Sequence, residues 1–483
     1  MGGPGLSSRV IPDEVISETI DKPNVTGFGT SSSQRIAALA LSIVFSSCGN
    51  GDEASPRSQS PTEGEAEQTA TPQFASAAGS LPAPAPAEPP VLNSAPSAPT
   101  DEALRAPPSA TTKLALAQGL TSQLLVRPSV LRQTVVGGLK SPTDLGITVD
   151  GTFFFTDREQ GLFVQRKGGV PVLVFAPRDA VKPASSEVLA VAIDPGFTTN
   201  RLVYVFVQST TATGETETRR VVRVTINESY TQAREVRDIL VVNDPSSPKA
   251  SRGGDPQPGG GLRFGPDGYL YVGLGDGYVP TAPQAAQVLP GKVLRIDRNG
   301  QAAPGNHAPA GFDSRVFAYG VRNPVALAFH ANTEALLVGQ RRGEEIDDIV
   351  VATRPGANAG WDPRCAPPRT GYCERSVDQV GGVAASGAAT AWRGGKSGEG
   401  LSAIERLRGP AWGDWRNAFV VAFERAQRLD LVKFNAEGKV VQAMPALEKL
   451  GVGFKAMAQG PDGLYVVTSG KAGGEEIWRL TVQ

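Results

Sequence analysis

Residues 257–277 read QPGGGLRFGPDGYLYVGLGDG. Their centre, Gly265-Pro266-Asp267-Gly268, is a turn between two apolar runs rich in aromatic and β-branched residues. Asp-Gly between such runs is a strong hairpin signal, because both residues tolerate the left-handed backbone that a tight turn demands. The same pattern recurs as DLGITVDGTFFFTD from Asp144 and AMAQGPDGLYVVTSG from Ala456. Degenerate copies start at Ala326 (ALAFHANTEALLVGQ), Leu189 (LAVAIDPGFTTNRLVYVFV) and Gly413 (GDWRNAFVVAFERAQRLDLVKF). Further strands such as GKVLRIDRNG from Gly291 and EEIWRLTVQ from Glu475 follow several of the hairpins.

Six units over residues 131–483, at roughly sixty residues each, give the arithmetic of a β-propeller. The fold expected is all-β: six blades, each a four-stranded antiparallel sheet. A β-sandwich would not repeat the Asp-Gly hairpin in this way. A strand near Thr134–Val136 is expected to close the ring beside the last blade, because closure removes exposed sheet edges.

Composition restricts the partners. The chain has 483 residues, with 47 Lys+Arg against 48 Asp+Glu and a formal net charge of −1. The charges are interspersed, which argues against capture of nucleic acid, since that needs a clustered basic face. The three cysteines divide into one and two. Cys48 ends IAALALSIVFSSC, an apolar run preceded by Arg35. This is a signal-segment pattern, and FSSC resembles the lipobox of bacterial lipoproteins, where the cysteine is lipidated. The run is too short to span a bilayer comfortably. Gly49 after the cysteine fits retention at an outer membrane, by resemblance to lipoprotein sorting patterns.

Residues 1–34 are then an N-terminal extension longer than a usual signal start, and a non-Met start such as Val25 would account for it. Residues 35–48 form the signal segment. Residues 49–130, with PAPAPAEPP and SAPSAPT, are a Pro/Ala/Ser-rich linker that cannot bury enough apolar surface to offset its chain entropy. Cys365 and Cys373 lie eight positions apart in DPRCAPPRTGYCER and read as one local disulfide in an exported protein. So short a loop stabilises by about 2–3 kcal/mol on the chain-entropy account.

Five motifs in order, GGGLRFGPDGYLYVGLGDG, GKVLRIDRNG, FAYGVRNPVALAF, VGQRRGEEIDDIV and GANAGWDP, resemble the glucose/sorbosone dehydrogenase family. The resemblance covers residues 131–483 and implies a six-bladed propeller that uses pyrroloquinoline quinone (PQQ) and calcium to oxidise an aldose or another alcohol, passing electrons to an acceptor. Such chemistry needs cations for the cofactor's carboxylates, oxygen ligands for calcium, and a base for the substrate hydroxyl. By the resemblance, Arg322 and Asn323 of GVRNP and Gln340 contact the cofactor, with Arg393 and Lys396 from a later basic loop. Gly339, Glu345 and Asp347 belong to the loop that supplies calcium ligands; many relatives have Asn at the position of Asp347. Arg341, Arg342 and Glu344 fit a solvated loop equally well, and Trp361 reads as packing.

The departure falls on the base. Active members carry a histidine where this chain has Gln257, an acidic residue where it has Pro256, and an arginine where it has Gly261. Glutamine has no useful basicity near neutral pH. The two histidines, His307 and His330, lie in other segments, and Asp255 substitutes only if its loop rearranges. Two functions therefore stand: an exported, lipid-tethered quinoprotein dehydrogenase with an altered base, or a ligand- or protein-binding propeller of the same ancestry without turnover. A calcium-dependent hydrolase finds no matching acid/Asn set.

Overall fold

The computed structural model describes residues 126–177, 185–210, 216–245, 258–331, 335–341, 347–365, 367–373, 385–435, 439–470 and 474–483. The first strand is β1 (Val130–Leu139). Blade 1 is β2 (Pro142–Ile147), β3 (Phe153–Asp157), β4 (Gly161–Gln165) and β5 (Val172–Phe175). Blade 2 is β6 (Ser185–Ile193), β7 (Leu202–Thr210), β8 (Thr216–Ile226) and β9 (Ala233–Pro245). Blade 3 is β10 (Gly259–Phe264), β11 (Leu270–Leu274), β12 (Lys292–Ile296) and β13 (Val316–Tyr319). Blade 4 begins with β14 (Pro324–Phe329), β15 (Leu336–Gln340) and β16 (Asp347–Thr353). The short β17 (Ala357–Asn358) returns to blade 3 as a parallel fifth strand, and β18 (Ala389–Ser397) completes blade 4. Blade 5 is β19 (Leu401–Arg406), β20 (Phe419–Phe423), β21 (Arg428–Phe434) and β22 (Val440–Glu448). Blade 6 is β23 (Gly453–Gly460), β24 (Gly463–Ser469) and β25 (Glu475–Val482).

The expected ring closure is present. β1 pairs antiparallel with β25, with Thr134 opposite Trp478 and Val136 opposite Ile477. Chain from before the first blade thus completes the last blade, so neither end of the sheet ring is an open edge. Packing starts slightly upstream: Trp415 Nε1 donates to Val126 O at 2.8 Å, and Arg127 Nη2 donates to Ala446 O at 2.7 Å.

The three Asp-Gly hairpins join the first and second strands of blades 1, 3 and 6. In blade 2 a four-residue helix, α1 (Phe197–Asn200), replaces the tight turn. Blade 5 corrects the unit read from Gly413. Its innermost strand is the earlier Leu401–Arg406, and Pro410–Trp415 is a 3-10 segment in the connection to β20. Between blades, alternate strand residues interlock as apolar layers. Phe154 and Leu162 pack with Val205, Val222 and Val224; Tyr204 and Phe206 pack with Leu262, Val272 and Leu294. At about 25 cal/mol per Å² of apolar area, these layers are the main favourable term in the fold.

Polar stitches fix neighbouring inner strands. Thr143 Oγ1 donates to Val188 O at 2.8 Å, and Ser402 Oγ donates to Phe454 O at 2.6 Å. Asp348 accepts the Leu401 amide at 2.6 Å. Inner strands surround a narrow axial channel, lined by Thr143, Asp144, Arg263, Ser402 and Lys455 among others. No helix among the described residues is long and apolar enough to cross a membrane.

Candidate active site at the channel mouth

In every blade the first strand starts, and the second strand ends, at the same face of the propeller. We call it the upper face. Segments from blades 3 and 4 meet there. β11 ends at Leu274 and runs into Gly275-Asp276-Gly277. Arg322 and Asn323 immediately precede β14, and Gln340 ends β15.

These segments are tied by backbone bonds. The Asp276 amide donates to Arg322 O at 2.8 Å, and the Arg341 amide donates to Asn323 O at 3.1 Å. Gln340 Oε1 accepts the Arg322 amide at 2.9 Å, and Asn323 Oδ1 accepts the Gly259 amide at 2.9 Å. The structure therefore brings Arg322, Asn323 and Gln340 into one knot, all buried. In it the amide side chains of Asn323 and Gln340 hold backbone, and Arg322 carries the charge. Arg322 Nη1 donates to Arg341 O at 3.2 Å, and its Cζ lies 5.8 Å from the Tyr278 ring centre and 5.9 Å from that of Trp361.

Asp276 is the carboxylate of this cluster and is fully buried. Its Oδ2 accepts from Tyr372 Oη at 2.7 Å and Trp361 Nε1 at 2.9 Å, and its Oδ1 accepts the Tyr278 amide at 3.0 Å. Burial pushes its pKa above the ordinary carboxylate range; the Arg322 field and the bonds from Tyr372, Tyr278 and Trp361 oppose that. Trp361 is itself braced. Gln284 Nε2 donates to Trp361 O at 2.8 Å and to Asn358 Oδ1 at 3.1 Å, while Asn358 Nδ2 donates back to Gln284 Oε1 at 3.0 Å. Trp361 thus both packs and positions a carboxylate. Asp276, Tyr372 and the bonding role of Trp361 escaped the sequence reading. GDG after a hairpin reads as another turn, and the partners lie 85 and 96 residues away in the chain. The signal that was available is an acidic residue one glycine beyond an otherwise wholly apolar strand end.

Two further ion pairs border the mouth. Arg341 Nη1 meets Glu424 Oε2 at 3.2 Å across blades 4 and 5, and Lys455 Nζ meets both Glu475 oxygens at 3.1 Å within blade 6. From blade 2, the buried Arg219 donates to Gly275 O at 2.7 Å and Pro258 O at 3.2 Å.

Other expected positions are placed differently. Arg393 is exposed on β18, opposite Ile349. It is three strands out from the channel-lining strand, roughly 14 Å at ordinary strand spacing. Gly339 lies in the β15 ladder, where an added Cβ would meet Leu401 Cδ2 at 2.7 Å, so it lets blade 5 approach. Asp347 opens β16 opposite Ser397, and the side chains of Asp347 and Lys396 lie outside the described residues. Glu345, Gln257, Pro256, Asp255 and Cys48 lie outside them altogether. Among the described residues no group of three or more His, Cys, Asp or Glu could hold a metal ion. Cys365 and Cys373 form the expected disulfide.

The glycines beside residue 257 have packing reasons. Gly259 has φ +82°, and a Cβ there would collide with Gly273 O. A Cβ on Gly261 would lie 2.9 Å from Leu327 Cγ and 3.0 Å from Pro324 O. The arginine that the family resemblance implies at 261 is thus replaced by close contact between blades 3 and 4.

Fold and cluster together define a six-bladed propeller with a buried cation, a buried carboxylate and aromatic rings at one mouth of its channel. A profile of the family described as Glucose / Sorbosone dehydrogenase matches residues 139–479. The chain belongs to that family. It is 26% identical over 225 residues to the aldose sugar dehydrogenase YliI of Escherichia coli K12, a match covering 44% of this chain and 58% of that protein. It is 27% identical over 257 residues to quinoprotein glucose dehydrogenase B of Acinetobacter calcoaceticus, covering 48% and 52%. The chain thus spans little more than half the length of these relatives. Among solved structures, the PQQ-bound aldose sugar dehydrogenase of Streptomyces coelicolor superposes with a TM-score of 0.57 at 24% identity, over 74% of this chain and all of that one. An oxidoreductase of Thermus thermophilus, described as a glucose dehydrogenase, gives 0.57 at 27%, over 73% and 100%.

Proposed function

We propose that this propeller binds PQQ on its upper face and serves as a quinoprotein-type sugar or alcohol dehydrogenase. The observation that carries the reading is the buried Arg322, fixed by Gln340 and the Asp276 amide and flanked by Tyr278 and Trp361. The donor set fits. A planar tricarboxylate needs a preorganised guanidinium and aromatic walls, and both converge here. When bound, the quinone would accept the hydride of the substrate alcohol. The chain's own part is to orient the cofactor at Arg322 and to exclude water with Trp361 and Tyr372. Calcium, when bound, would be held by the loop that includes Gly339, Glu345 and Asp347 and would supply charge to polarise the quinone. Arg393, exposed on the outer strand of blade 4, would reach the cofactor only through movement of that strand.

The proton step is the weak point of this chain. Gln257 can hydrogen-bond a sugar hydroxyl but cannot take its proton. This residue favours the second reading, a ligand-binding propeller without turnover.

The deciding experiment titrates full-length protein with PQQ in the presence of calcium, followed by cofactor absorbance and by reduction of an artificial acceptor with a panel of aldoses. Saturable binding, weakened about 10–100-fold in Arg322→Ala, is expected from the loss of charge-assisted bonds. Binding without acceptor reduction selects the second reading. No binding by folded protein removes PQQ from both.

Export and lipidation at Cys48, with residues 49–130 as a tether, belong to the same proposal. The Cys365–Cys373 disulfide supports an oxidising compartment. In a Gram-negative host, Cys48→Ala should move the protein from the membrane fraction to the soluble fraction; an unchanged distribution would exclude the anchor.

A further inference from the structure

We infer that the face opposite the mouth docks on an anionic lipid surface, through a basic patch on blade 5 beside the point where the chain reaches the propeller. The choice of lipid rests on the proposed anchor at Cys48; the patch itself does not.

In every blade, the connections from first to second strand and from third to fourth lie on this lower face. In blade 5 they are residues 407–418 and 435–439. Arg406, Arg408 and Arg416 stand in or beside the first, and Lys433 and Lys439 in or beside the second. Local bonds gather these cations. The Leu407 amide donates to Ala418 O, and the Asn417 amide to Leu407 O, both at 2.9 Å, so Arg408 and Arg416 leave one neck. The Lys439 amide donates to Asn435 Oδ1 at 2.9 Å, and the Asn435 amide donates to Lys439 O at 2.8 Å. His330, from the matching connection of blade 4, bonds the Asn435 backbone and lies in the field of Arg406, which links the two groups. Arg408, Arg416 and Lys439 are exposed, and Arg406 and Lys433 are half-buried.

Little in the patch cancels its charge. Among the described residues, Arg408 is the one member with an ion-pair partner, Glu405 at 3.1 Å. Burial lowers the Arg406 pKa, and the Arg408 field lowers it further against that of Glu405. Asp414 is the other described carboxylate of the two connections, and Glu437 lies outside the described residues. The excess of cations is local, since the chain's formal net charge is −1. Clusters of about four to eight Lys or Arg beside a membrane-bound chain recognise anionic headgroups. The position fits that use: Trp415, next to Arg416, donates its Nε1 to Val126 O at 2.8 Å. The chain upstream of Val126, with Cys48 in it, thus reaches the propeller at the patch. Lipid anchors are commonly paired with a polybasic patch as a second membrane signal. Docking on this side leaves the mouth on the far side, open to solutes.

The test uses purified full-length Cys48→Ala, which cannot be lipidated, and vesicles of phosphatidylcholine with and without phosphatidylglycerol, read by co-sedimentation. Binding is expected only with phosphatidylglycerol, and it should fall as salt rises. Arg416→Gln and Lys439→Gln change exposed side chains and should each weaken binding about fivefold, and about 25-fold together. Lys140→Gln, where β1 meets β2 on the upper face, should leave it unchanged. Thermal melting confirms that each variant is folded. Equal binding to pure phosphatidylcholine overturns the inference, and so does undiminished binding by the double variant. Tighter binding of double-stranded DNA than of the charged vesicles, lost in the same double variant, overturns lipid as the occupant. The anchor is read separately, from the mass of the wild-type protein made in a Gram-negative host. A wild type without lipid, whose Cys48→Ala form binds the charged vesicles, defeats the anchor and leaves the docking face standing. A lipidated wild type, whose Cys48→Ala form binds no vesicle, defeats the docking face and leaves the anchor.

Discussion

Two buried aspartates near the channel, each beside an arginine, are held in opposite ways. Deep in the channel, Arg263 of blade 3 grips Asp144 of blade 1 with both nitrogens, at 2.8 and 3.0 Å, and the carboxylate also accepts the Val191 amide of blade 2 at 3.0 Å. Burial works against the Arg263 charge, but the field and bonds of Asp144, with the field of Glu405, outweigh it and raise the arginine's pKa. At the mouth, Asp276 is satisfied by an indole, a phenol and an amide, while Arg322 stands among aromatic rings. The first arrangement closes a circuit of charge and stitches three blades. The second sets the carboxylate on neutral donors and brings the cation near two ring faces. A buried aspartate is thus gripped by a guanidinium in one place and by neutral donors in the other.

The largest effect that would sharpen this contrast is at residue 257. If the mouth is a catalytic site lacking its base, Gln257→His should raise kcat for an aldose about 10²–10⁴-fold, with a rate that falls below the pKa of the new imidazole. Acceptor-linked kinetics across pH 5–9 would measure it. A rate that stays at background in a variant that still binds PQQ would mean the mouth has become a binding surface in more than one residue.

The channel pair predicts the reverse profile. Arg263→Met strands the Asp144 carboxylate among inner strands and should cost about 3 kcal/mol of stability. PQQ affinity should remain at the wild-type value. Adding Asp144→Leu should recover most of the loss, because replacing both partners removes the uncompensated charge. Chemical denaturation of the three variants beside PQQ titrations would check this. Lost cofactor affinity in Arg263→Met would show that the two ends of the channel are coupled.

Much of the scaffold could be read from sequence because its determinants are local. Asp150-Gly151, Asp267-Gly268 and Asp462-Gly463 each set a hairpin, and the alternating strands beside them set the blades. Closure by β1 followed from the cost of a free edge. Blade 5 was harder because its first strand, Leu401–Arg406, is separated from the second by a 3-10 segment rather than an Asp-Gly turn. At the site, Arg322 and Asn323 were legible through GVRNP. The carboxylate they stand beside was not, since Asp276 gains its meaning only when Trp361 and the disulfide loop fold over it. Burial and donor count are tertiary properties, and no spacing in the chain encodes them.

A further buried cation lies between the two extremes and gives the smallest effect. Lys292 at the start of β12 is fully buried, and its ammonium donates to backbone carbonyls, Ala282 O at 2.7 Å and Pro290 O at 3.0 Å. Burial pushes its pKa down to about 7, against 10.5 for an ordinary lysine. Between those values the unfolded chain binds the proton and the folded chain has released it, so stability rises with pH through this window. Below pH 7 both states are protonated, and the penalty of the buried charge is fully present. The slope should reach about 1 kcal/mol per pH unit. Lys292→Met removes the titrating group, so wild type should gain stability relative to the variant from pH 7 to pH 9.5 by denaturant titration. A difference that stays flat across that range would mean that the two carbonyls hold the ammonium charged, which would place Lys292 with Arg263 among the locked charges of the scaffold rather than with the responsive groups of the mouth.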